Sequence, residues 1–477
     1  MMKIARIALA LGLLTSVSAQ VYAAGLVLND NELRNDLSWL SDRGVIHLSL
    51  STWPLSQEEI IRALKKAKPS YSSEQVVLAR INQRLSALKA DFRVTGYTST
   101  DQPGTPQGFG QTQPADNSLG LAFNNSGEWW DIHLQGNVEG GERISNGSRF
   151  NANGAYGAVK FWNQWLSFGQ VPQWWGPGYE GSLIRGDAAR PMTGFLMQRA
   201  EQAAPETWWL RWIGPWQYQI SASQMNQYTA VPHTKIIGGR LTFSPFQSLE
   251  LGASRIMQWG GEGRPQSFSS FWDGFTGQDN TGTDNEPGNQ LAGFDFKFKL
   301  EPTLGWPISV YGQMVGEDEA GYLPSANMYL AGVEGHHAWG KNAVNWYVET
   351  HDTRDDRSRT DYIYTHHIYK DGYYQQGYPL GDAMGGDGQL VAGKVELVTE
   401  DNQRWSTRLV NAKVNPENQL INKAFPHSDT LKGVQLGWSG DVYKSVRLNT
   451  NLWYTNADNS DSDDIGASAG IEIPFSL

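Results

Sequence analysis

From Asp91 to Leu477 apolar and polar residues alternate one by one, in runs broken by connections rich in Gly, Asn and Asp. Phe294, Phe296, Phe298 and Leu300 share one face of an extended chain, and Asp295, Lys297 and Lys299 share the other. Val446, Leu448, Thr450, Leu452 and Tyr454 alternate in the same way with Arg447, Asn449, Asn451 and Trp453. In the closing run Ala467, Ala469, Ile471, Ile473, Phe475 and Leu477 fall on one side. A period of two predicts strands with one apolar face.

The connections are alternately long and short. The long ones fall near 100–115, 140–153, 172–206, 226–234, 259–289, 318–325, 352–388, 414–430 and 456–464; between them lie turns such as Ser126-Gly127-Glu128 and Gly214-Pro215. In an up-and-down sheet this puts long loops at one rim and tight turns at the other, the layout of an outer-membrane barrel. The expectation is an all-β transmembrane barrel of about 18 antiparallel strands over 91–477, counting the weakly patterned Trp208–Ile213 as one strand. A soluble sandwich also alternates. The loop asymmetry and the apolar strand at the carboxyl end decide for the barrel.

Residues 24–90 follow a helical period instead. Helices are predicted over Asn31–Asp42, ending at Gly44, over Gln57–Ala67 behind a Ser56-x-x-Glu59 capping box, and over Ser73–Lys89, where Val77, Ile81, Leu85 and Leu88 recur. They form a small helical bundle on the side where the first strand begins, which for an outer-membrane barrel is the periplasm. Residues 1–23 read as a signal peptide: Lys3 and Arg6, an apolar stretch, then Val21-Tyr22-Ala23 as a cleavage site.

Composition narrows the partners. No apolar run after residue 24 approaches the roughly 18 residues of a spanning helix. The chain has no Cys, which removes disulfides and thiolate chemistry, and its formal charge of −11 argues against nucleic acid. Lipid and lipopolysaccharide are the surroundings expected for such a wall, and nothing in the pattern calls for more than a monomer.

Three of the long connections are too aromatic for solvated linkers. The first holds Trp174, Trp175 and Tyr179, then Arg185, Asp187, Arg190 and Arg199; the second Arg264, Trp272 and Asp273; the third Tyr373 and Tyr374 among other tyrosines. Rings that stack on the C–H face of a sugar, beside groups that bond to hydroxyls, suit a carbohydrate. The competing reading is that the rings pack the loops together or mark the membrane interface. Arg185, Arg190, Arg199 and Arg264 are the candidates to meet carboxylates of an acidic polymer.

Other patterns carry less. Gly466-x-Ser468-x-Gly470 lies inside the last strand, without the strand–turn–helix setting that a nucleophile elbow needs. His336-His337 and His366-His367 are adjacent, and in strands adjacent side chains point to opposite faces, so no metal site is expected. Asp458, Asp461, Asp463 and Asp464 could hold Ca²⁺ but more simply face solvent. No cofactor and no catalytic set emerges.

The segments Ser49-Leu-Ser-Thr-Trp-Pro-Leu-Ser56, Gln173-Trp-Trp-Gly-Pro-Gly178 and Gly466–Leu477 resemble, nearly residue for residue, those of the Wzi family of outer-membrane capsule-assembly proteins. The likeness spans the chain. It implies an eighteen-stranded barrel with a helical bundle at its periplasmic mouth. It also implies a non-catalytic lectin that attaches exported capsular polysaccharide to the cell surface. An oligosaccharide channel is the alternative left open by the residues themselves.

Overall fold

Eighteen antiparallel strands close into one barrel, each paired with its neighbours in sequence, in a computed structural model that describes residues 24–144, 148–275, 286, 288–320, 323–443, 445–459 and 463–476. The expected signal peptide, Asp461 and terminal Leu477 lie outside the described residues. The seam joins the first strand, Phe92–Ser99, to the last, Asp464–Phe475, in register from Phe92↔Phe475 to Ser99↔Ser468. The rings of Phe92 and Phe475 stack there at 5.3 Å. The rim that carries these two chain ends is called the terminal rim below, and the opposite one the loop rim.

The alternation reports the two faces of the wall. Leu119, Leu121, Phe168, Phe195, Phe294, Leu409 and Leu452 are each about half exposed on the outer surface, while Asp295, Lys297 and Lys299 are buried on the inner one. Exposed tryptophans mark the terminal rim at Trp129, Trp162, Trp306 and Trp339, as expected where a wall leaves the hydrocarbon.

Two assignments change. The strand between Gln164–Gly169 and Trp216–Gln224 is Gly194–Arg199, not Trp208–Ile213. The latter run lies in a connection at the terminal rim, ends in a short 3₁₀ turn, and leaves Trp208 and Trp212 exposed. Its apolar residues face outward without alternating partners. The strands Ile308–Ala320 and Leu323–Trp339 pair up to Ala320↔Leu323, so strand replaces most of the loop expected at 318–325.

The helices form at Asn31–Asp42, Gln57–Lys65 and Ser72–Leu88. Asp30 caps the first, its carboxylate accepting the Leu33 N–H at 2.8 Å. The capping box expected at Ser56 is absent. Glu59 is drawn instead to Arg62 and to the backbone N–H of Gln202, at 2.7 Å each, and Ser56 donates to Glu58.

The first helix is buried on both faces from Leu33 to Asp42 because it stands inside the barrel mouth. Its apolar side, Leu33, Leu37 and Leu40, shares a core with Trp53, Ile60, Val77, Ile81, Phe109 and Trp174. Its polar side meets inward charges of the wall, Asp42 pairing with Lys297 at 2.9 Å and Asp36 with Arg404, while Asp36 also pairs with Arg80 of the helix Ser72–Leu88 at 2.9 Å. Wall charges that would be costly to bury alone are thus compensated by acids on the plug.

A second core lies between this plug and the loop rim. Connections 170–193 and 353–388 fold back into the barrel and bury Trp175, Leu183, Ile184, Tyr364, Tyr369, Tyr373 and Tyr374 against inward Ile236, Ile256, Leu291 and Val315. The two tryptophan-containing segments of the family likeness meet here as a small antiparallel pair, Trp174↔Trp53 and Trp175↔Thr52. Gly176 follows with φ of +152°, and a Cβ there would sit 2.9 Å from the Gln313 side chain, so the sharp exit of the segment requires glycine.

Candidate functional site

The structure divides the expected sugar-binding residues into two sets. Trp174, Trp175, Tyr179, Arg185, Tyr373 and Tyr374 are all at most 5 % exposed inside the lumen, where they build the plug and present no surface to a polymer outside the barrel. Trp175 donates from Nε1 to Gln219 at 2.7 Å, and Tyr373 donates to the Ile184 carbonyl at 2.8 Å. Arg34 of the first helix lies 4.5 Å from the rings of both Phe109 and Tyr179 and donates to the carbonyls of Pro177 and Gly178. Aromatic residues interleaved with arginine describe a packed lumen as well as a sugar surface, and here the interior takes them.

Beside them Asp187 accepts from the Gly110 N–H at 2.8 Å and from Asn29 Nδ2 at 3.1 Å, joining the helical segment to two loops. Burial pushes its carboxyl up to about 6. Arg199 is at the terminal rim, over the ring of Trp216 at 4.0 Å, and so lies at the opposite end from the loops with which it was grouped.

The second set stays near the loop rim. Trp272 and Asp273 are exposed on a short helix, Phe268–Phe275, whose rings pack on one another. Arg264 reaches the carbonyl of Glu286 in the same connection. Arg190 lines a cavity of about 290 Å³ at the mouth, formed where four connections converge: Asn151 and Asn153 from the first, Gln170 and Arg190 from the second, Asn226 from the third and Gln376 from the fourth.

The polar atoms of this cavity are half-used. Asn151 Oδ1 accepts from Asn137 at 3.1 Å and from the Asn153 N–H, while its Nδ2 has no partner among the described residues. Gln170 donates to Thr193 at 3.1 Å and leaves Oε1 unpaired, as is Gln376 Oε1. Arg190 donates from Nη2 to Glu139 at 2.6 Å with Glu142 at 3.8 Å, leaving Nε and Nη1 unpaired. These unpaired atoms are buried beneath the lining, while the side chains that carry them, with Asn153 and Asn226, give the opening an amide-rich polar wall of the kind that can bond to hydroxyls. Because two glutamates already face Arg190, the cavity favours neutral hydroxyls there over a carboxylate. The sequence offered little signal for Asn151, Gln170, Asn226 and Gln376: isolated amides in polar loops look like solvated ones.

His366 and His367 lie in the connection 353–388, so the strand geometry used to set their rings on opposite faces does not apply. They sit in an irregular stretch with rings 4.6 Å apart, and both approach Glu286, at 3.5 and 3.8 Å. His366 Nδ1 accepts the N–H groups of Ile368 and Tyr369, which puts its proton on Nε2 toward the carboxylate and suits a hydrogen bond better than a metal. Burial pushes this imidazole down to about 4. His336 meets Asp42 and Glu334, but Lys297 already bridges those acids. Of the acidic loop, Asp458 pairs with Lys432, Asp463 accepts from Tyr454 and Asn456, and Asp464 accepts from Trp453 and the Gly104 N–H.

Comparison with known proteins agrees with this architecture over 95% of the chain. An uncharacterised 55.8 kDa protein of the cps region of Klebsiella pneumoniae is 91% identical over 477 residues, all of this chain and 95% of the relative. A solved structure from Escherichia coli superimposes with a TM-score of 0.91 at 88% identity, covering 95% of this chain and 100% of the other. That protein is described as Wzi, an outer-membrane protein involved in group 1 capsule assembly and a carbohydrate-binding β-barrel. Residues 90–468 match the family described as capsule assembly protein Wzi. The wall, its plug and these matches together make the chain a member of the Wzi family of capsule assembly proteins.

Proposed function

We propose that this barrel is a non-catalytic lectin that binds capsular polysaccharide at its loop rim and attaches it to the cell surface. In this reading the loop rim faces outward, the helical plug faces the periplasm, and lipid and lipopolysaccharide surround a monomeric wall. The observation that carries it is the mouth cavity at the loop rim, walled by Asn151, Asn153, Gln170, Arg190, Asn226 and Gln376. The Escherichia coli relative, described as carbohydrate-binding, supports the same assignment. A repeating polymer presents one epitope many times, so weak contacts at many barrels hold it by avidity.

Titration of the purified protein with oligosaccharides of defined structure from the capsule tests the reading. The double variant Gln170→Ala, Gln376→Ala is expected to weaken binding about tenfold, the sum of two ordinary hydrogen bonds, with an unchanged melting temperature. Full affinity in that variant would move the site elsewhere. The filled lumen speaks against an oligosaccharide channel, for which a steady large single-channel conductance would be the evidence.

A further inference from the structure

We infer that the lumen holds a second saccharide site, selective for acidic units, in a crevice that the plug leaves open along one side of the wall. The inference rests on the lectin reading and adds to it a place inside the barrel and a charge preference.

The plug does not fill the barrel evenly. A cavity of about 320 Å³ runs between it and the wall formed by the strands after residue 388 and the first strand. On the strand Val446–Ala457 it is lined by Arg447, Asn449, Asn451 and Trp453, successive inward positions. At the rise of a strand this spans about 20 Å, long enough for a short run of sugar units. Asn449 and Asn451 are exposed although they point inward, which makes the crevice wet.

Its two ends differ. Toward the terminal rim it is bolted by ion pairs between plug and wall, Arg84 to Glu472 at 2.9 Å and Arg447 to Glu32 at 2.8 Å, with Arg84 also held to Asp30 within the plug at 2.6 Å. Toward the loop rim it reaches Arg143, an exposed residue whose guanidinium donates only to the carbonyls of Gln102 and Pro103 among its hydrogen bonds to described residues. Between the ends Lys394 projects into it with no ion pair or hydrogen bond among the described residues. Lys394 in the middle without an acid partner among the described residues, a second cation, Arg143, at the loop-rim end near Asp464, amides along the wall, and the rings of Tyr97 and Trp453 are what an acidic oligosaccharide would use. The mouth cavity, where Arg190 is already matched by two glutamates, lacks that preference.

The test is calorimetric titration of the full-length protein in detergent with short oligosaccharides released from the host capsule by partial hydrolysis, and with their carboxyl-reduced counterparts. The wild type is expected to bind the acidic form about tenfold more tightly than the reduced one, the size of one charge-assisted contact. Lys394→Gln abolishes that preference, and Asn451→Trp, which fills the crevice at a solvated position, lowers affinity for the acidic form about tenfold. The mouth variant Gln170→Ala, Gln376→Ala weakens both forms alike. Retention of full affinity and preference in both Lys394→Gln and Asn451→Trp would overturn the crevice site while leaving the lectin reading intact. Failure of the wild type to bind either form would overturn both.

Discussion

Arg408 on the barrel wall holds Glu180 of the folded-in loop by a two-pronged ion pair, Nε to Oε1 at 2.9 Å and Nη2 to Oε2 at 2.6 Å, with both side chains buried. The same guanidinium donates to the Pro106 carbonyl at 2.7 Å, so one wall residue fixes two loops. Arg408→Ala leaves Glu180 charged and unmatched, with an expected loss of about 3–5 kcal/mol. Thermal unfolding in detergent reads this out. Replacing both partners together, Arg408→Met with Glu180→Leu, is expected to restore most of the stability.

Trp175 separates packing from recognition. It is fully buried and bonded to Gln219, so Trp175→Ala should cost about 3–5 kcal/mol through the cavity it leaves. Less capsule would then be retained per cell, but not per folded barrel. Retention normalised to the heat-modifiable, folded fraction distinguishes the two; a fall in the normalised value would return Trp175 to the binding surface.

Asp187 gives the plug a pH dependence of definite sign. Its carboxyl is pushed up to about 6 by burial, above the ordinary value of 3.8, so the folded state binds the proton more tightly than the unfolded chain. The stability this group contributes is complete below the ordinary value and is lost as pH rises through about 6. Asp187→Asn keeps an acceptor for Gly110 and Asn29 and removes the charge. The variant is expected to be more stable than wild type by about 3 kcal/mol at pH 7.5, with the gap closing near pH 4, in melting curves across that range.

The wall makes its own prediction. Phe294 is half exposed near the middle of its strand, on the outer face of the wall, next to Asp295, which faces Arg240. Phe294→Arg is expected to cost about 2–4 kcal/mol and to depress folding into vesicles. Unimpaired insertion would mean that this face does not contact hydrocarbon.

Period-two alternation made the wall legible, because inward and outward faces meet different solvents and the chain must obey at every position. The helix Asn31–Asp42 was equally plain, since Gly44 marks its end, while its N-cap, Asp30, emerged only in the structure. Gly194–Arg199 was missed because Gly-Phe-Leu-Met-Gln-Arg alternates for only a few residues beside a more apolar tryptophan run. The site was harder for a deeper reason. Trp174, Tyr373 and Arg185 have the composition of a sugar surface, and whether such residues face a ligand or one another is set by loops that fold inward, a long-range matter. Lys297 shows the same limit: alternation turns it inward, but only the fold supplies Asp42.

The seam between Phe92 and Phe475 has a consequence for manufacture. A ring sealed by its first and last strands remains an open sheet until the final residues arrive, and connections 170–193 and 353–388 are tethered at both ends to that sheet. The interior can therefore be furnished while one side is still open, and closure then acts as the last inspection: a misplaced plug would hold the edges apart and leave the two phenylalanines unstacked.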